Sequence, residues 1–351
     1  MPSPRCRVAL VTAGDPARRT GGYLYNRHVL DALARGENAP GVEQIILPDG
    51  PPDAATATLR ARLGTLRPTV AIVDSLVLPI AARLAETIQH EFGIRVVALM
   101  HMLPSDVATS GRMSGNPDGE SLIGLERRLL SVADRAVAVS PPLKARLIRA
   151  GAVPDRVVVV SPGRDGCPIP PPARYRAPDR DHPPRFLAVA NWSEQKGIHL
   201  IVEALARLDS VATLDLVGEP GDGAYARRVR DRIARYRLGG RVRVFGSLSA
   251  DALAERYAAS DAFVLPSLTE GFGIVYAEAM SFAKPVVAAR VGPLPWLVQE
   301  GCGLLVPPDD VVALAAAMRT LATDGGLRQR LGENARRRAE RLPTWQETEA
   351  A

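Results

Sequence analysis

Short apolar runs alternate along this chain with segments of helical spacing, and the alternation happens twice. In the first half, runs rich in Val, Ile, Leu and Ala fall at 7–13, 44–47, 69–76, 95–102, 135–139 and 156–160. Runs of this length and near-continuous apolar character predict strands covered on both faces. Between several of them, 24–34 and 81–91 carry apolar residues three and four apart, which predicts helices. A further helix is predicted at 140–151, with Ser140 as its N-cap, Pro141 and Pro142 in its first turn and Gly151 at its end.

Residues 161–184 break the rhythm. Pro162, Pro168, Pro170, Pro171, Pro172, Pro178, Pro183 and Pro184 crowd there with almost no apolar period. The alternation then restarts, with strands predicted at 185–190, 213–217, 242–245, 262–266, 285–289 and 303–306. Helices are predicted at 197–208, 225–236, 251–259, 274–283, 311–321 and 326–341. Repeated strand–helix alternation calls for parallel sheets flanked by helices. The expected architecture is α/β: two doubly wound, Rossmann-like domains facing a central cleft. Their expected bounds are 1–163 for the first, 164–184 for a proline-rich linker and 185–326 for the second, with a terminal helix, about 327–351, packing back on the first.

Ligands of doubly wound sheets bind beyond the carboxyl ends of the strands, so the residues there are the candidates for chemistry. After the first strand come Gly21 and Gly22, which let backbone approach a ligand closely. The Gly-x-Gly-x-x-Gly dinucleotide fingerprint is absent from this loop, which speaks against hydride transfer. After the fourth strand comes His101, followed by a polar stretch rich in Gly and Ser from 105 to 121. Read alone, that histidine is either a satisfied core residue or a donor facing the cleft; the long loop after it favours the cleft.

The second half opens with Asn191-Trp-Ser-Glu-Gln-Lys-Gly197, in which Lys196 precedes a helix. A lysine there opposes the helix dipole, an arrangement that makes sense if an anionic diphosphate fills the same pocket. The richest stretch is Ser267-Leu-Thr-Glu-Gly-Phe-Gly-Ile-Val-Tyr-Ala-Glu278, where Glu270 and Glu278 bracket Gly271-Phe272-Gly273 between a strand and a helix starting at Ile274. Such a turn gathers free N–H groups, a positive helix end and two carboxylates around one small volume. Phosphates and vicinal hydroxyls fit that volume, as in a nucleotide sugar.

Composition narrows the field further. A hydrophobic share of 46% and a charged share of 23% describe a soluble globular protein, and no run of about 20 apolar residues predicts a membrane span. The net charge of +6 is dispersed, which disfavours a nucleic-acid partner. The one dense cluster, Arg336-Arg337-Arg338 with Arg341, reads as a solvated helix face, with contact to an acidic membrane surface as the alternative. Cys6, Cys167 and Cys302 are few and far apart, and no leader is evident at the N-terminus. The expected setting is therefore a reducing cytoplasm, at most peripheral to the membrane. No Asp-x-Asp pair and no His/Cys cluster marks a metal site, so no metal or other cofactor is expected. Only Lys144, Lys196 and Lys284 are lysines among 44 basic residues, which marks each as a candidate place for a compact ammonium in preference to a guanidinium.

Together these residues resemble glycosyltransferase family 4, the retaining nucleotide-sugar enzymes of GT-B architecture. The similarity covers nearly the whole chain and is most specific at the Glu-x7-Glu element from Glu270 to Glu278. Gly21-Gly22, His101, Lys196-Gly197, Val291-Gly-Pro-Leu-Pro-Trp296 and the terminal Leu342-Pro-Thr-Trp345 support it. The resemblance implies that Lys196 binds the donor diphosphate and that Glu278 holds the ribose. It implies that Glu270 and the amides of Gly271, Phe272 and Gly273 hold the transferred sugar, with Ile274 starting the helix behind them. It further implies that Gly21 and Gly22 approach the phosphates, that His101 lies by the reacting sugar and acceptor, and that Phe245 and Gly246 flank the base. The partners it implies are a nucleoside-diphosphate sugar and an acceptor hydroxyl. Where the family carries an arginine five or six residues before the lysine, this chain has Asn191 and Trp192. Another arginine substitutes, or donor binding is weaker, or the donor differs. A nucleotide-sugar epimerase or a phosphorylase of the same fold, or a two-lobed binding protein without catalysis, are the alternatives.

Overall fold

The computed structural model describes residues 7–18, 20–35, 41–48, 50–108, 121–169, 183–209, 212–221, 223–299 and 301–351. Cys6, most of the loop after His101 and most of the proline-rich linker lie outside the described residues. The chain divides into two compact units. One comprises Met1–Ser161 with Thr348–Ala351, the other Pro162–Glu347.

The first unit is built on six parallel strands: β1 (Arg7–Ala13), β2 (Gly41–Leu47), β3 (Val70–Asp74), β4 (Arg95–Met100), β5 (Arg135–Ala138) and β6 (Val157–Val159). Their order in the sheet is β2-β1-β3-β4-β5-β6. Val8–Val11 of β1 and Ala71–Val73 of β3 are buried, because a central parallel strand has helices over both faces. Every strand expected from the apolar runs is present. The helix expected at 81–91 is instead a helix at Leu78–Arg83 followed by a π-turn at Thr87–Glu91. The periodicity did not flag the helix Pro52–Leu66, although Ala55, Leu59 and Leu63, four residues apart, form its buried stripe. Ser140 caps the helix Pro141–Arg149 as expected, its Oγ accepting from Leu143 N–H at 3.3 Å.

The second unit repeats the plan with β7 (Arg185–Val189), β8 (Thr213–Val217), β9 (Val242–Val244), β10 (Ala262–Leu265), β11 (Val286–Ala289) and β12 (Gly303–Val306). Its order is β12-β11-β10-β7-β8-β9, all parallel. The helix Gly325–Ala339 packs in this unit, against Ile274–Ser281 and Val311–Thr323. Of the terminal stretch expected to return to the first unit, the last four residues do so. Thr348 Oγ1 donates to Ser161 O at 2.8 Å, and Glu349 accepts from His28 at 2.6 Å and from Arg35.

In each unit the chain first builds strands to one side and then starts again on the other. The reversal falls between β1 and β3 in the first sheet and between β7 and β10 in the second. Such reversals leave a crevice at the carboxyl ends of the two strands, because the flanking connections diverge there.

Candidate functional site

In the first unit the reversal carries a buried polar cluster. Asp74 ends β3 with no exposed surface. Its Oδ2 accepts from Thr12 Oγ1 of β1 at 3.0 Å and from Asn26 Nδ2 at 2.5 Å, and its Oδ1 accepts from Leu76 N–H at 2.9 Å. His101 follows β4, with its Nε2 3.0 Å from Asn26 Oδ1 and 3.9 Å from Asp74 Oδ2. Because Asn26 spends its amide N–H on Asp74, its Oδ1 is an acceptor. The Nε2 of His101 therefore carries the proton and Nδ1 keeps its lone pair, a tautomer assigned from this network. Burial holds the imidazole below its usual pKa, with the Asp74 charge opposing. Tyr25 stands edge-on to the ring at 5.4 Å.

Gly21 and Gly22 open the helix Gly21–Leu33. A side-chain carbon on Gly22 would lie 3.4 Å from His101 Cδ2, so the glycine sits against the imidazole edge. The structure thus brings Gly22 and His101 together, and adds Thr12, Asn26 and Asp74, which no motif had marked. An aspartate closing the apolar run Val70-Ala71-Ile72-Val73 was the available signal.

In the second unit the loops leaving β7 and β10 are laced together: Leu268 N–H donates to Gln195 O at 2.7 Å. Lys196 lies in a short turn at Glu194–Lys196, ahead of the helix Ile198–Ala206. Its Nζ donates to Glu270 Oε2 at 2.8 Å, and Glu270 Oε1 accepts from Gly271 N–H at 3.2 Å. A side-chain carbon on Gly292, in the loop after β11, would lie 2.5 Å from Glu270 O, so that loop also closes on the glutamate.

Gly273 is the N-cap of the helix Ile274–Ser281, with φ +99, a region L side chains rarely adopt. Phe272 is buried, edge-on to Trp296. Tyr276 braces the turn from beneath, its hydroxyl 2.8 Å from Leu265 O and 3.0 Å from Ser267 Oγ.

Glu278 is buried in that helix, one turn in. Its Oε2 accepts from Tyr257 Oη at 2.9 Å. Burial pushes its carboxyl up to about 7, against the hydrogen bond from Tyr257.

Asn191 and Trp192 both engage the loop after β8: Asn191 Oδ1 accepts from Glu219 N–H at 3.3 Å and Trp192 N–H donates to Glu219 O at 2.9 Å. Gly246 follows β9 and its carbonyl accepts from Gly218 N–H at 2.7 Å. The Phe245 ring has the guanidinium groups of Arg256 and Arg243 at 5.1 and 5.7 Å from its centre. Lys284 is structural: its buried Nζ donates to Ala258 O at 3.0 Å and Ser260 O at 2.7 Å, closing the helix Ala250–Ala259.

Among the described residues no group of three or more His, Cys, Asp and Glu is gathered as a metal site would require. Cys167 and Cys302 are free and buried. No helix among the described residues is long and apolar enough to cross a membrane.

Residues 4–165 match the model of the family described as Glycosyltransferase Family 4, and residues 174–338 that of Glycosyl transferases group 1. A D-inositol 3-phosphate glycosyltransferase of Kineococcus radiotolerans is 35% identical over 239 residues, 61% of this chain and 55% of that protein. The Streptomyces bingchenggensis protein of that name is 30% identical over 275 residues, 74% of this chain and 60% of its own. The chain thus spans less than two thirds of the length of these relatives. Among solved structures, a sucrose-phosphate synthase from Thermosynechococcus elongatus superposes with a TM-score of 0.79 at 25% identity, covering 99% of this chain and 97% of its own. Anabaena HepE, solved with UDP and glucose, superposes at 0.74 with 20% identity, covering 97% of each chain.

Proposed function

Because this chain belongs to glycosyltransferase family 4, with the GT-B fold, we propose that it moves a sugar from a nucleoside-diphosphate sugar to an acceptor hydroxyl. On this reading the transfer retains the configuration at the anomeric carbon and needs no metal. The observation that carries the proposal is the Lys196–Glu270 pair at the reversal of the second sheet, with Glu270 just ahead of the helix that carries Glu278. A cation held at a helix mouth by a carboxylate that also has sugar-binding chemistry is suited to a ligand with both phosphates and hydroxyls.

The chemistry follows from charge. As the bond from the anomeric carbon to the phosphate oxygen breaks, negative charge gathers on the diphosphate and positive charge on the sugar ring. The Lys196 ammonium and the positive N-terminal end of the helix Ile274–Ser281, at Gly273, stabilise the first. Glu270 stays with the sugar hydroxyls. The acceptor oxygen bonds to the anomeric carbon from the face the diphosphate leaves, and its proton passes to a phosphate oxygen. Glu278 accepts from the ribose, and Phe245 and Gly246 border the base. His101, neutral and with a free lone pair at Nδ1, accepts from a substrate hydroxyl.

Calorimetry with uridine, guanosine and adenosine diphosphates identifies the base; HepE holds UDP, which makes uridine diphosphate the first to test. Incubation of the matching nucleotide sugars with a panel of acceptors, in the presence of a chelator, tests transfer. D-inositol 3-phosphate, named for the relatives, heads that panel. A glycoside of unchanged anomeric configuration is the expected product. An altered sugar without an acceptor indicates an epimerase, and a sugar 1-phosphate formed from inorganic phosphate indicates a phosphorylase; either overturns the proposal.

A further inference from the structure

Glu278 is a buried carboxylate whose two oxygens have different surroundings. Oε2 is taken by Tyr257 Oη at 2.9 Å. Among the described residues no donor bonds Oε1. What stands beside Oε1 is Gly166: a side-chain carbon built on that glycine would lie 2.5 Å from it. A β-carbon essentially never approaches an oxygen so closely, so Oε1 can keep this position only because residue 166 has no side chain.

Gly166 is held there by its neighbours. Trp345 N–H donates to Asp165 Oδ1 at 2.8 Å, Arg164 N–H donates to Pro343 O at 3.0 Å, and Arg164 Nε–H donates to Leu342 O at 3.1 Å. The segments 163–166 and 342–345 are thereby tied together within the second unit. Tyr257 is equally fixed. It is fully buried, stacked on Phe282 at 5.2 Å between ring centres, and its single hydroxyl proton has Glu278 Oε2 and, at 3.2 Å, Val275 O within reach.

We infer that Tyr257 and Gly166 are positioning residues for Glu278: the phenol pins Oε2, the glycine keeps space beside Oε1, and Oε1 is presented to a vicinal diol. The inference rests on the nucleotide-sugar reading, in which that diol is the ribose of the donor. An unpartnered oxygen of a buried carboxylate is under-satisfied, and a hydroxyl donor delivered by the ligand repairs that deficit.

The test compares the tightest-binding of uridine, guanosine and adenosine diphosphates with its 2′-deoxy counterpart, by calorimetry on the full chain. Wild type favours the ribose form roughly tenfold to a hundredfold, the range for one charge-assisted hydrogen bond. Tyr257→Phe keeps the ring and its stacking, and its preference shrinks to within about threefold because the ribose form alone loses affinity. Gly166→Ala fills the space at Oε1 and has the same effect on the ratio. A merely structural role for either residue weakens both nucleotides together and leaves the ratio at its wild-type value.

If wild type discriminates and both variants retain the full ratio, the positioning inference falls while the ribose role of Glu278 stands. If wild type does not discriminate, that role falls and takes the inference with it. If none of the diphosphates binds, the donor reading itself is overturned. Thermal melting shows which variants are folded, and the ratio in either folded variant suffices to decide.

Discussion

Lys196 and Glu270 lie 74 residues apart in the chain and meet across 2.8 Å where the second sheet reverses direction. The ammonium is 30% exposed and the carboxylate 11%. An ion pair so placed contributes little to stability, on the order of 1 kcal/mol or less. On the proposed function its value is in holding a cation, at the mouth of a helix, for a diphosphate.

Lys196→Ala therefore separates function from folding. Turnover falls by roughly 10²–10³, as for loss of one electrostatic donor to a developing anion. The melting temperature stays close to that of wild type. Steady-state kinetics and calorimetric melting on the same preparation check both halves; unchanged turnover removes the phosphate role.

Lys284→Met does the reverse. The buried Lys284 ammonium serves Ala258 O and Ser260 O, and its removal leaves two helix-end carbonyls unpaired. Stability falls by about 1–3 kcal/mol, while turnover per folded molecule is unchanged. Denaturant unfolding with active-site titration distinguishes the two lysines.

Glu278 makes stability depend on pH. Its carboxyl titrates at about 7 in the folded chain, raised by burial from an ordinary 4.5. Between those values the unfolded chain gives up a proton that the folded chain keeps, so stability falls as pH rises through the window. Glu278→Gln removes that slope, and the variant gains on wild type by about 3 kcal/mol above pH 7, at roughly 1.4 kcal/mol per unit. Donor affinity in wild type rises through the same window, because a ribose hydroxyl donates to the ionised form. Melting curves and nucleotide titrations from pH 4 to 9 read both effects, and parallel stability profiles for the two proteins exclude them.

Asp74 organises the first unit's cluster. Asp74→Ala strips Thr12, Asn26 and Leu76 of an acceptor at once and destabilises by about 1–3 kcal/mol for each donor left unsatisfied. In the intact protein burial disfavours the imidazolium of His101, and at pH 8 the neutral ring carries its proton on Nε2. Nitrogen chemical shifts of the imidazole at that pH report the tautomer directly, and an imidazolium signal contradicts it.

The sequence by itself was enough for the strands and the doubled α/β plan. A buried parallel strand writes itself as a short apolar run, as at Phe263-Val264-Leu265, and needs no distant information to be recognised. The helix Pro52–Leu66 was harder, because its stripe of Ala55, Leu59 and Leu63 is diluted by Ala, Thr and Gly. At the candidate site, Gly271-Phe272-Gly273 and its two glutamates form a local turn and were legible as one. Lys196 was marked in one dimension by its place ahead of a helix, but its partner was not: only packing gives it the Glu270 carboxylate and gives Lys284 the carbonyls at a helix end. The partners of Asp74 and Glu278 were hidden for the same reason. Asn26 lies 48 residues from Asp74, and Tyr257 lies 21 from Glu278. No local period links such pairs; the order of strands in the sheets brings them together.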